Sequence, residues 1–169
     1  MRRSLAVLAT LVLLWAGVSL VNDGLAPAHL SVFAGGLFVL FPALAMTLPE
    51  GLAATVLAGA VCDANTPVPF GTHVVLFAAA HALLFFARDR LPHDLAAGRL
   101  WIALAANAVL FAALAVVCSP SRGGSAGPWG TLAADLACSE IIVALAAGWF
   151  FALQGKALAL VPREPDLML

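Results

Sequence analysis

Four polar side chains lie inside stretches of the sequence that are otherwise apolar. Asp135 and Glu140 lie in the last such stretch, Asn107 in the one before it, and His81 in the fourth. Two charged acids near the centre of a membrane span cost about 5–7 kcal/mol, of which the apolar residues of that stretch offset only about 3–5 kcal/mol. We therefore expect the four residues to be intramembrane packing groups that are protonated, shielded by neighbouring helices, or paired.

The predicted depth of two of these side chains in the membrane suggests one specific pairing. His81 and Glu140 each lie nine positions after the start of their apolar stretches. If both helices run from the outer to the inner face, both side chains lie about 13 Å deep at 1.5 Å per residue. Our hypothesis is that His81 and Glu140 face each other and pack the fourth helix on the sixth. In the alternative reading, backbone carbonyls or water satisfy each side chain separately.

Cys62, Asp63 and His73 are close enough in sequence to suggest a metal site. Three mixed ligands without a fourth partner make a poor zinc site, however, so we predict no metal. Asp63 as a residue that caps a loop and Cys62 as a small packing residue explain these positions better. We also expect no cofactor.

Asp63 and Asp135 raise one catalytic alternative. Two aspartates on one side of a membrane can share a proton, as in an aspartic peptidase. The chain has a length similar to the lipoprotein signal peptidases, but their asparagine-containing motifs around each aspartate are absent here. An intramembrane aspartic peptidase is therefore only a second alternative function. We predict that the chain has no catalytic residues and is not an enzyme.

Composition requires a lipid environment. Of the 169 residues, 63% are hydrophobic and 10% are charged, whereas soluble domains are about 45–50% apolar and about 25% charged. The net charge of −1 argues against a nucleic-acid partner, which demands a basic face. The sequence predicts one transmembrane domain over 1–169.

The apolar stretches predict an all-α, polytopic integral membrane protein, a bundle of six transmembrane helices. The stretches are too long for strands and lack the period-2 alternation of a strand. A short tail, 154–169, follows the last stretch. The predicted spans are 5–21, 30–48, 52–62, 72–87, 100–118 and 131–153.

Lys and Arg set the predicted orientation, because cytoplasmic loops are enriched in them. With the N-terminus inside, six spans return the C-terminus to the same side. Only Arg122 then lies outside. Both termini are therefore predicted to be cytoplasmic, together with Arg2, Arg3, Arg88, Arg90, Arg99, Lys156 and Arg163.

A motif between the third and fourth stretches goes beyond composition. Gly59 is followed by Asp63 four positions later, and a turn-rich loop leads to Pro69, Gly71 and His73. This resembles the stretch between the third and fourth helices of MreD, the rod shape-determining membrane protein family. Members carry G-x-x-x-D-x-x-x-x-x-x-x-G there, often with Pro-hydrophobic-Gly at its end, and some have a histidine where this chain has His73.

The resemblance covers about 40 residues, roughly 49–87. Between Asp63 and Pro69, many members have Ser-Gly where this chain has Thr66-Pro67. Elsewhere the chain is similar to the family only in its length, six-span layout and cytoplasmic ends.

The resemblance implies a component of the bacterial inner membrane without chemistry of its own. MreD-like proteins belong to the cell-wall elongation machinery, which determines rod shape. The implied partner is an MreC-like protein and, through it, MreB, the RodA glycosyltransferase and a class B penicillin-binding protein.

The family's fold is similar to the substrate-binding subunits of energy-coupling-factor vitamin transporters, which makes such a subunit the first alternative. Those subunits dock their transport partner through small-x-x-x-small faces, and Ala54 and Ala58 have that spacing. A vitamin-binding subunit also needs a polar pocket near its outer loops.

The motif residues also have a physical interpretation of their own. Gly59 permits close approach of another backbone. Asp63 lies at the unfavourable end of its helix dipole, so amides further along the turn should stabilise it. Pro69 and Gly71 set the exit into the fourth helix. We expect this structural hairpin to shape the outer face that a partner uses.

Overall fold

The protein folds into α-helices. A computed structural model describes residues 2–92, 95–118 and 129–161, and these residues form helices, turns and loops but no strand. The prediction of an all-α fold is confirmed. Of the residues used to predict the orientation, Arg122 and Arg163 lie outside the described residues. The helices are α1 (Arg2–Leu25), α2 (Gly35–Ala45), α3 (Leu48–Asn65), α4 (Thr72–Ala87), α5 (Ala96–Cys118) and α6 (Trp129–Ala159).

Four helical segments, which contain α1, α4, α5 and α6, are long and apolar enough to cross a membrane, namely Arg2–Ala28, Thr72–Arg90, Ala96–Cys118 and Gly130–Ala159. Their outward faces carry large apolar side chains that no other part of the described chain covers. A soluble monomer rarely exposes so many, and lipid accommodates them without cost. Examples are Leu20, Leu83, Phe86, Trp101, Val109, Leu145 and Trp149.

The second predicted span, 30–48, differs most from the structure. Only Gly35–Ala45 is helical, and 11 residues are about 16 Å long, about half the thickness of a bilayer core. Residues 30–34 form no regular structure, and His29 before them has a left-handed backbone with φ 55°. The chain thus enters the bundle as non-helical backbone before α2 begins.

α3 is longer than its predicted span, 52–62. It begins at Leu48, with Pro49 in its first turn, where a missing N–H costs nothing and the fixed φ of proline suits a helix. Glu50 lies in the same turn, at the positive end of the helix dipole. The Thr47 hydroxyl donates to the Glu50 carboxylate over 2.9 Å. This hydrogen bond and the interaction of Glu50 with the helix dipole both favour a helix start at Leu48.

α6 also extends further than predicted. It continues to Ala159, so the first residues of the predicted tail 154–169 belong to the helix. Gln154 in this extension is fully buried, although neither atom of its amide has a hydrogen-bond partner in the described part of the chain. The predicted span 72–87 matches α4 at both ends.

α2 lies at the centre of the bundle. It packs against α3, α4, α5 and α6, and Leu37, Val39 and Leu40 are completely buried. The close approach of α2 to α5 depends on Gly36. A Cβ atom there would clash with the Ala103 carbonyl and lie 2.8 Å from the backbone nitrogen of Asn107. α2 is therefore a core helix that the longer helices surround.

We predict that Gly36→Ala destabilises the bundle, because the added methyl meets backbone that cannot move away. Overpacking of this kind costs about 1–3 kcal/mol. The measurement is thermal unfolding of the purified protein in detergent. Gly148→Ala in α6 is the control, since nothing lies within 4 Å of a Cβ there, and an equal loss in both variants would contradict the prediction.

Candidate functional site

Asp63 connects the end of α3 to the start of α4. Its Oδ2 accepts hydrogen bonds from the backbone N–H groups of Gly71 at 2.9 Å and Val74 at 3.2 Å, and its Oδ1 accepts one from the His73 N–H at 2.9 Å. The first N–H groups of a helix have no partner within it, and its N-terminus favours a negative charge. Asp63 thus caps α4 from another helix, which agrees with the expectation that amides further along the turn stabilise it.

The same carboxylate also holds the His73 ring. Nδ1 of His73 lies 2.8 Å from Oδ1 of Asp63, and neither side chain is more than 4% exposed. Asp63 is an acceptor here, so Nδ1 carries the hydrogen that is donated to it. In the neutral imidazole, Nε2 is then an acceptor with a free lone pair.

Glycine is required at both ends of this arrangement. A Cβ atom at Gly59 would lie 2.9 Å from both the Cα and the N of Val74, so α3 and α4 touch backbone to backbone. Gly71 has φ +99°, a conformation that side chains disfavour. The Pro69 carbonyl accepts hydrogen bonds from the N–H and the hydroxyl of Thr72. The predicted hairpin residues thus form one connected unit, which we call the α3–α4 hairpin (59–74).

We predict that Asp63→Ala destabilises the protein strongly. The change leaves three backbone N–H groups and a buried imidazole without their acceptor, and each unsatisfied buried donor costs about 1–3 kcal/mol. Thermal unfolding in detergent measures the loss. Asp89→Ala is the control, because the Asp89 side chain is 89% exposed and lies 3.8 Å from Arg88. Unfolding temperatures that agree between the two variants would contradict the prediction.

The polar residues of the spans are partnered differently from our hypothesis. Nδ2 of Asn107 donates to Oε1 of Glu140 over 3.0 Å, and Oδ1 of Asn107 accepts from the Gly36 N–H over 3.1 Å. The backbone of Val39 and of Leu48 lies near the His81 ring, but neither ring nitrogen makes a hydrogen bond of good geometry in the described residues. The His81 ring lies against Gly51 and stacks on Phe85 with 6.3 Å between centroids. The structure thus brings Glu140 to Asn107 and not to His81.

The non-helical segment before α2 is held by α6 and α1. Asp135 accepts a hydrogen bond from the Ser31 N–H at 2.8 Å, and the Ser139 hydroxyl accepts one from the Phe33 N–H at 2.9 Å. Asn22 bonds both backbone groups of Val32, as acceptor at 2.6 Å and as donor at 3.1 Å. With the Asn107 contact to Gly36, polar side chains reach four of the amides between 31 and 36.

Asn22 and Ser139 were not among the predicted site residues. Their signal in the sequence is weak, because an asparagine at the end of an apolar stretch and a serine next to an acid are common. One sequence feature and one physical rule point to the segment that Asn22 and Ser139 hold. A short glycine pair, Gly35-Gly36, interrupts the second apolar stretch, and backbone that leaves a helix inside a membrane needs polar partners from neighbouring helices.

A double-mutant cycle tests the new pairing. We predict that Asn107→Ala and Glu140→Ala are non-additive, with a coupling energy of about 0.5–3 kcal/mol, because the two side chains are in contact. His81→Ala combined with Glu140→Ala is the matched cycle and should be additive. Unfolding free energies in detergent provide both values. Coupling in the second cycle and not in the first would restore the original hypothesis.

The carboxylates of Asp63 and Asp135 have separate backbone partners in the described structure, one at the start of α4 and one before α2. An aspartic peptidase requires its two carboxylates to share a proton. No group of three or more His, Cys, Asp and Glu side chains in the described residues is arranged to hold a metal ion.

A cavity of about 260 Å³ lies next to the α3–α4 hairpin, at the end of the bundle where α1 and α3 end and α4 begins. We call it the hairpin-end cavity. It is bounded by the end of α1, the non-helical segment before α2, and the hairpin. His73 lines it, together with Trp15, Asp23, Phe33, Phe38 and Phe77.

Comparison of the chain with protein families, with curated proteins and with solved structures gave no match. The inference of function therefore depends on the residues and contacts described above.

Proposed function

We propose that this chain is a non-enzymatic membrane scaffold of the bacterial cell-wall elongation complex, similar to MreD. The observation that carries the proposal is the α3–α4 hairpin. Gly59, Asp63, Gly71 and His73, which give the sequence its resemblance to that family, all take part in one set of contacts between two helices. Each residue of the motif therefore has a physical task in the hairpin, which supports the resemblance.

In this proposal, the chain crosses the inner membrane six times, with α2 and the non-helical segment before it together forming the second crossing, and both termini are cytoplasmic. The ion pair between Arg3 and Glu50, 3.3 Å long, supports the arrangement, because it joins the first turns of α1 and α3. Alternate helices begin on the same side of the membrane in a six-span protein. Arg88, Arg90 and Arg99, between α4 and α5 or at the start of α5, lie on that same side in this topology.

The partner in this proposal is an MreC-like protein, which connects the chain to MreB, RodA and a class B penicillin-binding protein. The α3–α4 hairpin carries the contact surface. Its loop exposes Phe70, which is 74% accessible although it is large and apolar. An aromatic side chain at the tip of a rigid hairpin is a suitable anchor for a partner, because its backbone is fixed before binding.

We predict that Phe70→Ser lowers co-purification of the MreC-like protein from the same bacterium by about tenfold, equivalent to about 1.4 kcal/mol. Loss of one aromatic anchor accounts for a change of this size. Cells that rely on the variant should lose rod shape while protein levels stay normal. The measurements are quantitative pull-down from detergent extracts and microscopy.

Phe86→Ser is the matched control, since Phe86 is 73% exposed and lies near the other end of α4. It should retain the partner and the rod shape. If the wild-type chain does not co-purify with the MreC-like protein and its depletion leaves cells rod-shaped, the proposed function is wrong.

The alternative function, a substrate-binding subunit of an energy-coupling-factor transporter, is favoured by the hairpin-end cavity. The small-residue face formed by Ala54 and Ala58 supports this alternative less than the sequence suggested. Ala54 and Ala58 are 0% and 1% exposed within the bundle, so their small-residue face already packs against the chain's own helices. Co-purification with a pair of transporter ATPases would favour this alternative over the scaffold.

A further inference from the structure

A histidine held by the α3–α4 hairpin lines the hairpin-end cavity. His73 is 3% exposed and lines the cavity. Asp63 engages its Nδ1 at 2.8 Å, which leaves Nε2 for another partner. A carboxylate on one nitrogen fixes the tautomer and the orientation of the ring, as it does for histidines that bind metals. A molecule in the cavity with an N–H group would satisfy Nε2.

The walls of the cavity are aromatic. Phe38 and Phe77 stack with 5.4 Å between centroids, and Phe77 meets the His73 ring edge-on at 5.7 Å. Phe33 lies 6.3 Å from the same imidazole, and Trp15 contributes another wall. Aromatic faces carry partial negative charge, so they attract flat rings and cations.

The formal charge around the cavity is negative. Asp23 lines it, is exposed, and makes no hydrogen bond or ion pair with the described residues. The Asp63 carboxylate adds a second negative charge behind His73, and none of the described lining residues is Lys or Arg. An anionic guest would enter without a counter-charge, which is costly at a partly buried site.

We propose that the hairpin-end cavity binds a small organic cation that carries a flat ring and an N–H donor. The ring packs among Phe33, Phe38 and Phe77, the N–H donates to Nε2 of His73, and the positive charge faces Asp23. The volume suits one ring or a fused pair, since a cavity of about 150 Å³ holds benzene and this one is about 260 Å³. Ligand binding goes beyond the proposed scaffold role.

The test uses the full chain purified in detergent and three probes of nearly equal shape, namely benzamidinium, benzamide and benzoate. Isothermal titration calorimetry measures their affinities. We expect benzamidinium to bind about tenfold more tightly than benzamide, from cation–π and carboxylate contacts together. Benzoate should show no binding. Equal affinities for the three probes, or no heat from benzamidinium at millimolar concentration, would overturn the proposal.

Variants connect the binding to this cavity. Asp23→Asn should weaken benzamidinium several-fold without changing the unfolding temperature, whereas the exposed Asp89→Asn, its matched control, should bind as the wild type does. His73→Ala should abolish binding. Val18→Trp fills the cavity from α1 and leaves the contact between Asp63 and His73 intact. It therefore tests the site even if His73→Ala fails to fold.

Retention of wild-type affinity by Val18→Trp, or equal affinities of Asp23→Asn and Asp89→Asn, would show that benzamidinium binds elsewhere and the proposal is wrong. These measurements need no partner protein and no cells. A negative result therefore leaves the scaffold proposal intact, and failure of the pull-down with the MreC-like protein leaves the cavity proposal intact.

Discussion

The rest of the structure depends on one constraint, that the backbone between 30 and 34 is not helical and that its amides, like the first amides of α2, must find partners outside their own segment. Neighbouring helices supply the acceptors, Asn22 from α1, Asn107 from α5, and Asp135 and Ser139 from α6. Lipid supplies none, so non-helical backbone survives only where protein surrounds it. α2 must therefore lie at the centre of the bundle, with the longer helices around it.

The α3–α4 hairpin obeys the same constraint. The first amides of α4 lack partners within their own helix, and Asp63 supplies the acceptors from α3. In both places, a polar side chain of one helix satisfies backbone groups that belong to another segment. Polar residues that first suggest chemistry thus act as connections between helices. A charged or amide group in this role fixes one register of packing, because a shifted register leaves buried amides unsatisfied.

Short-range patterns in the sequence predicted the features that depend on neighbouring residues. The ends of α4 follow from Gly71 and from the charged stretch after Ala87, and the stabilisation of Asp63 by nearby amides follows from its place before a turn. The break at 30–34 depends in part on contacts with residues more than 100 positions away, those of Ser31 with Asp135 and of Phe33 with Ser139, and these contacts cannot be inferred from an apolar stretch. His81 and Glu140 show a second limit. Depth along a helix follows from counting residues, but the direction in which a side chain points depends on how the helices are rotated, and that rotation brings Asn107 to Glu140.

The side chain of His73 does more than the capping of α4 requires. Capping of α4 requires only the backbone N–H of residue 73, which any residue except proline provides, and the Asp63 carboxylate already accepts three backbone hydrogen bonds. A buried imidazole adds a desolvation cost, and Asp63 engages only one of its two nitrogens. The break before α2 and the hairpin together form the walls of that cavity. The arrangement is therefore better explained if Asp63 has two roles: it holds α4 in place, and it orients His73 for a guest in the space that the irregular backbone leaves open.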